Sequence, residues 1–267
     1  MAIKPFIDSI ILGLVEGFTE FLPVSSTGHL IIFDDLLGFD GPPGHVFEIV
    51  IQLGAILSVL AVYFARLWHV LVTLPRSRES QRFVLLLIMG FLPAGVLGAL
   101  LHGFIKSVLF SPYVVSVTLF LGGIAILWIE RLNPKARLQS VDEFTPLFAL
   151  KVGCCQALAM IPGVSRAGAT ILGAMLLGAE RRCATEFSFL LALPTMVGAT
   201  VYDLYKNWAS LDGSGIELIA IGFVAAFFAA LIVVRTLIGF VSRHGFAPFG
   251  WYRIVVGAGM MALLLLR

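Results

Sequence analysis

Glu16-Gly-Phe-Thr-Glu20-Phe-Leu-Pro23-Val-Ser25-Ser26-Thr27-Gly28-His29 lies between apolar runs, and Gln156-Ala-Leu-Ala-Met-Ile-Pro162-Gly163-Val-Ser165-Arg166-Ala-Gly168-Ala-Thr170 lies in the same setting half a chain later. The segments on either side of Pro23, 7–22 and 27–37, would reach only about 24 Å and 16 Å as helices, against about 30 Å of hydrocarbon. Neither crosses a bilayer. The expected structure is a hairpin that enters the membrane, turns inside it and returns. Segments 145–160 and 165–178, broken at Pro162-Gly163, read the same way. Irregular backbone at that depth is tolerated only when it is packed in protein or lines a wet cavity.

The rest of the chain supports a membrane setting. Hydrophobic residues make up 59% of the 267 and charged residues 13%, about half the charge of an ordinary soluble domain. Apolar stretches long enough to span fall at about 45–65, 82–102, 111–130, 184–205, 216–238 and 247–266. The fold class expected is an all-α integral membrane protein with six transmembrane helices plus two re-entrant helix hairpins meeting at the midplane. Lys4 and the apolar run after it are superficially like a secretory signal. Glu16 and Glu20 interrupt that run and no small-residue cleavage site follows, so the segment is read as part of the fold. Cys154, Cys155 and Cys183 lack metal-ligand spacing and read as small buried thiols. A net charge of +2 gives no reason to expect nucleic acid as a partner.

The two halves correspond beyond the hairpins. Glu48 and Glu186 head matching spanning helices, and Phe110-Ser-Pro112-Tyr113 matches Phe246-Ala-Pro248-Phe249, at an offset of about 136 to 139 residues. Each half, 1–133 and 134–267, then holds one hairpin and three spanning helices within one membrane domain. An odd number of crossings turns the second half upside down, giving an inverted-topology repeat. Basic residues fit this layout. With the 66–82 loop in the cytoplasm, twelve lysines and arginines fall inside and only Lys4, Lys106, Lys206 and Arg267 outside. The hairpin carrying Glu16 to His29 then lies on the outer side, so its site is expected to open to the periplasm. Arg253, near the start of the last helix, is expected to snorkel to the interface. Arg166, at the second hairpin tip, has no such escape.

At each tip a hydroxyl-rich turn leads into a short helix, so unpaired N–H groups and a positive dipole end point inward. Two such termini facing each other suit an anion. Arg166 adds a charged fork matched to phosphate or carboxylate, with Ser25, Thr27, Ser165 and Thr170 beside it. Glu16 and Glu20 are four apart, on one helix face. They would either hold a divalent cation such as Mg²⁺ or Ca²⁺ or carry a proton in a transporter. His29, three residues after Ser26, is placed to act as general base toward that hydroxyl or to attack phosphorus itself. Gln156, Glu48, Glu186 and Ser188 are further polar residues expected near the site.

The quoted segments, together with Glu186-Phe-Ser188-Phe-Leu-Leu-Ala-Leu-Pro194, resemble the bacterial undecaprenyl-diphosphatase, or bacitracin-resistance, family over essentially the whole chain. The resemblance implies a multi-pass enzyme of the bacterial inner membrane. It would remove the terminal phosphate of a polyprenyl diphosphate lipid, recycling the carrier for peptidoglycan synthesis and conferring bacitracin resistance. It also implies dependence on a divalent cation, and it gives Glu16, Glu20, Ser26, His29 and Arg166 as the glutamate pair, serine, histidine and arginine of the family's site. Ala167 stands where many members have Ser, so that position is not expected to carry essential chemistry. Attack by Ser26, or directly by metal-activated water, are both open. The rival class is an inverted-repeat transporter or flippase for undecaprenyl phosphate or another anion. Sequence does not choose between a monomer and a homodimer.

Overall fold

Prolines and left-handed residues set the element boundaries. Pro5, Pro112 and Pro146 each stand in the first turn of a helix, where the missing N–H costs nothing. Gly38, Asn133 and Gly245 end helices at positive φ. The computed structural model describes residues 3–39, 41, 46–104, 111–206 and 215–266. Lys106, Phe110 and Arg267, used above in the topology and repeat, lie outside them. The helices are α1 (Lys4–Thr19), α2 (Ser26–Leu37), α3 (Val46–Val62), α4 (Phe64–Thr73), α5 (Arg78–Phe104), α6 (Pro112–Leu132), α7 (Pro146–Ala157), α8 (Arg166–Leu176), α9 (Arg181–Lys206), α10 (Ile216–His244) and α11 (Ala247–Leu266). Among the described residues no strand forms, only an isolated bridge between Leu138 and Ala179.

Among the described residues five helices, α5, α6, α9, α10 and α11, are long and apolar enough to cross a bilayer, and six spans result if α3 and α4 count as one broken span. The chain is thus an all-α, multi-pass membrane protein. The expected cytoplasmic loop at 66–82 needs correction, because its first part is α4, which leaves α3 at a 75° bend. None of α4 is buried, and Phe64, Trp68, Leu71 and Val72 are exposed beside Arg66 and His69. Ten residues long, with Arg66 and His69 set among its apolar residues, α4 is too short to be found by a search for long apolar runs.

Lipid offers no hydrophobic gain for helix association, so close packing must come from small residues. A methyl group on Gly13 of α1 would stand 2.3 Å from the Gly222 carbonyl oxygen of α10, and one on Gly17 2.4 Å from that of Ala226. Gly153 of α7 meets the Gly90 carbonyl oxygen of α5 at 2.3 Å in the same sense. Outward-facing Leu100, Leu121, Phe228, Ile232 and Val255 are exposed for lipid contact. At one end of the bundle, ion pairs gather several helix ends. Arg66 bonds to Glu186 at 2.6 Å and to Asp142 at 3.0 Å, while Arg181 and the Phe246 N–H both bond to Glu130 at 2.7 Å.

Candidate active site

The turns after α1 and α7 are built alike. The last N–H of α1, that of Glu20, still bonds to the Glu16 carbonyl at 2.9 Å. Pro23 then ends the helical run, and Ser25 takes φ 71° before Ser26 opens α2. In the second turn Gly163 takes φ 88° and Ser165 φ 25°, and Arg166 opens α8. Positive φ costs a serine on the order of 1–3 kcal/mol, a strain that the packed surroundings must hold in place. Ser165 Oγ accepts the Gly168 N–H at 3.0 Å, an N-cap, and donates to the Leu22 carbonyl across the gap at 3.3 Å. The two turns therefore touch.

Where they touch, Glu20 joins them chemically. One carboxylate oxygen accepts the Ser26 hydroxyl, and the other accepts Arg166 Nη2 at 2.9 Å. Arg166 is held further by Nη1 on the Ser188 carbonyl at 2.9 Å and by the Phe21 ring, 5.6 Å from its guanidinium carbon. A cavity of about 170 Å³ opens beside this group, lined by Glu20, Ser25, Ser26, Thr27, Ser165 and Arg166, with Gln52, Thr195 and Met196 on its wall. A hydroxyl bonded to a buried carboxylate, facing a guanidinium across a small polar cavity, can bind an anion and pass a hydroxyl proton to the carboxylate.

Among the described residues, the buried polar atoms without a protein partner include Glu16 Oε1, Arg166 Nε and Gln156 Nε2. Among the described residues no group of three or more His, Cys, Asp or Glu forms a metal site. A magnesium-type ion needs only one or two carboxylates when phosphate oxygens and water complete its shell. Glu16 does not itself line the cavity, but its orphaned oxygen lies one helical turn from Glu20, so the two carboxylates could supply the protein ligands of such an ion.

Of the three cysteines expected to be buried only Cys183 is; Cys154 is exposed and Cys155 half-buried on α7. Several expected site residues also stand elsewhere. His29 is not on Ser26. Its Nδ1 meets the Ser25 carbonyl at 2.7 Å and its Nε2 the Tyr252 hydroxyl at 2.7 Å. Side chains at the start of a helix lean back toward the preceding turn, which carries the Ser26 hydroxyl to Glu20 and away from the imidazole. Thr170 lies behind Arg166, its hydroxyl spent on the Arg166 and Ala167 carbonyls and on Ser188 Oγ at 2.6 Å. Ser188 thus supports the arginine from behind. Glu186 is drawn into the ion pair with Arg66 at the end of the bundle. Glu48 lies one turn before Gln52 on α3, and only Gln52 lines the cavity. Gln156 accepts the Thr195 hydroxyl at 3.3 Å. Arg253 does not snorkel; it is 2% exposed. Gln52, Thr195, Met196 and Tyr252 were missed. Gln52 alone left a signal, a polar residue inside an apolar span.

The family model described as bacitracin resistance protein BacA matches residues 9–259. Undecaprenyl-diphosphatase 2 of Paramagnetospirillum magneticum is 57% identical over 98% of this chain and 100% of its own length. Undecaprenyl-diphosphatase of Parvibaculum lavamentivorans is 54% identical over 95% of this chain and 94% of its own. Undecaprenyl-diphosphatase 1 of Agrobacterium fabrum is 51% identical over 100% of both.

Proposed function

The chain belongs to the bacitracin resistance protein BacA family, and from that membership we propose that it does what its relatives' names state. It hydrolyses undecaprenyl diphosphate to undecaprenyl phosphate and inorganic phosphate, returning the carrier for cell-wall synthesis in the bacterial inner membrane. The observation that carries a mechanism is the Glu20 carboxylate bonded at once to Ser26 and to Arg166.

Ser26 Oγ attacks the terminal phosphorus as Glu20 takes its proton. The bond from that phosphorus to the bridging oxygen breaks, and undecaprenyl phosphate leaves. Water then attacks the phosphoserine, giving phosphate and regenerating the hydroxyl. Arg166 and the turn N–H groups stabilise charge on the transferring phosphoryl oxygens, which supplies most of the rate in such reactions. A divalent cation bound at Glu16 and Glu20 would neutralise diphosphate charge. His29, bonded to the Ser25 carbonyl, orients the strained residue beside the nucleophile, so the geometry favours Glu20 over His29 as base.

The turns are further proposed to be the tips of re-entrant hairpins from opposite membrane faces, in halves 1–133 and 134–267 of inverted topology. Packing supports this. Pairings Gly13 with Gly222 and Gly17 with Ala226 run α1 parallel to α10, while Gly153 with Gly90 and Phe144 with Arg82 run α7 parallel to α5. Ser25 and Ser165, both at positive φ, fall at matching places. With the arginine-rich end in the cytoplasm, the first hairpin enters from the periplasm, and the site opens there.

The test is phosphate release by detergent-solubilised protein given undecaprenyl diphosphate, with and without a chelator. Acid-quenched wild-type enzyme is expected to carry phosphate on Ser26, and Ser26→Ala to carry none and lose turnover. A transporter alone would release no phosphate. A Ser26→Ala variant with full turnover would leave direct attack by water as the route.

A further inference from the structure

Tyr252 and Arg253 stand side by side in α11, outside both quoted motifs, and both reach the hairpins. Tyr252 holds His29 of α2. Arg253 does more. Its Nη1 donates to the Pro23 carbonyl of the first turn at 3.0 Å, and its Nη2 to the Gly163 carbonyl of the second at 2.8 Å. Nη2 also donates to the Thr118 carbonyl at 3.0 Å and Nε to that of Leu119 at 3.3 Å, both on α6. One guanidinium thus ties both turns to one spanning helix. We propose that Arg253 is a positioning residue, whose fork fixes the separation of the two turns and so the placing of Ser26 relative to Arg166 across the cavity.

Three features carry this. A cation buried in a membrane protein is retained where it has a task, and every hydrogen bond of this one goes to a backbone carbonyl rather than to substrate-facing groups. The carbonyls of the turns have left helical pairing and need donors at a depth without bulk water; a planar fork with five donors can satisfy several at fixed angles, which an ammonium cannot. The surroundings are also cut to fit the guanidinium. A methyl group on Gly122 would stand 2.1 Å from Arg253 Nη2, and one on Gly163 2.0 Å from Thr118 Oγ1, which itself donates to the Pro162 carbonyl at 2.7 Å. Pro23 and Gly163 each precede the reacting residue of their turn by three positions. A change in the clamp therefore reaches Ser26 and Arg166 through very little chain.

The inference rests on the phosphatase reading and is tested with the full-length protein in detergent, given undecaprenyl diphosphate. Arg253→Gln and Arg253→Lys are expected to lower kcat by about 100-fold, the scale of a misplacement near 1 Å, while KM stays within about threefold of wild type. Gly122→Ala, which leaves the arginine in the chain but pushes its fork aside, should give the same split even if the Arg253 variants do not fold. Adding Gly122→Ala to Arg253→Gln should lower kcat no further, because both break one clamp. Wild-type kcat in Arg253→Lys, a loss confined to KM, a Gly122→Ala variant with full kcat, or losses that multiply in the double variant would each overturn the clamp. Failure of the wild-type protein to release phosphate would overturn the phosphatase reading instead.

Discussion

Arg166→Ala is the substitution that asks most of the site. The Arg166 side chain is 12% exposed and that of its partner Glu20 6%, at 2.9 Å. Removing the arginine leaves a buried carboxylate bonded only to Ser26. Breaking a buried pair from one side costs about 3–5 kcal/mol, whereas replacing both charged partners costs much less. The double variant Arg166→Ala, Glu20→Gln should therefore be more stable than Arg166→Ala alone, with a coupling of about 2 kcal/mol between the sites. Unfolding in detergent, followed for the wild type, both single variants and the double, measures that coupling. Activity should follow another pattern. Loss of a donor aimed at developing phosphoryl charge costs about 10²–10³ in kcat, and Arg166→Ala also removes a charged anchor for the diphosphate, so kcat/KM should fall by at least about 10³ in the single variant and not recover in the double. Strictly additive stabilities, or an Arg166→Ala enzyme within tenfold of wild type, would refute the pairing of these two residues as the centre of the site.

Two other substitutions separate roles that the cluster leaves close together. Glu16→Gln removes one proposed cation ligand without touching Glu20, so the Mg²⁺ concentration for half-maximal phosphate release should rise by at least about tenfold, with activity regained at high Mg²⁺; an unchanged requirement would take Glu16 out of the cation site. His29→Gln can still bond to the Ser25 carbonyl, so kcat is expected to fall less than about tenfold, whereas loss of a general base would cost about 10²–10⁴. Titration of phosphate release by each variant decides both.

What sequence revealed, and what it concealed, follows from the kind of interaction involved. The broken helices were legible because a helix has a fixed rise and the segments around Pro23 and Pro162 are too short to span. The meeting of Ser26, Glu20 and Arg166 was legible because like segments, repeated half a chain apart, bring unlike polar residues to one place. Hydrogen bonds to backbone carbonyls have no residue signature, and those were the ones missed. Nothing in the letters around Pro23 or Gly163 shows that both carbonyls await Arg253, far along the chain. The partner of His29 was hidden for a related reason, since Tyr252 on α11 reads as an interfacial aromatic until the helices pack. The α4 bend escaped because α4 carries neither a long apolar run nor a strong breaker.

The bonds of Arg166 also bear on how binding and chemistry are linked. Arg166 Nη2 bonds to Glu20 and to Met196 Sδ, Nη1 bonds to the Ser188 carbonyl, and Nε is buried without a protein partner. A diphosphate entering the cavity would compete with Glu20 for this guanidinium, and a terminal phosphate group, which can carry two charges and accept two parallel N–H bonds, competes well. As the arginine turns toward substrate, the carboxylate keeps Ser26 as its remaining bond, which is the arrangement that proton transfer requires. In the proposed mechanism the pair that joins the two turns would thus free its base as the anion binds, giving Glu20 a part in the chemistry as well as in the fold.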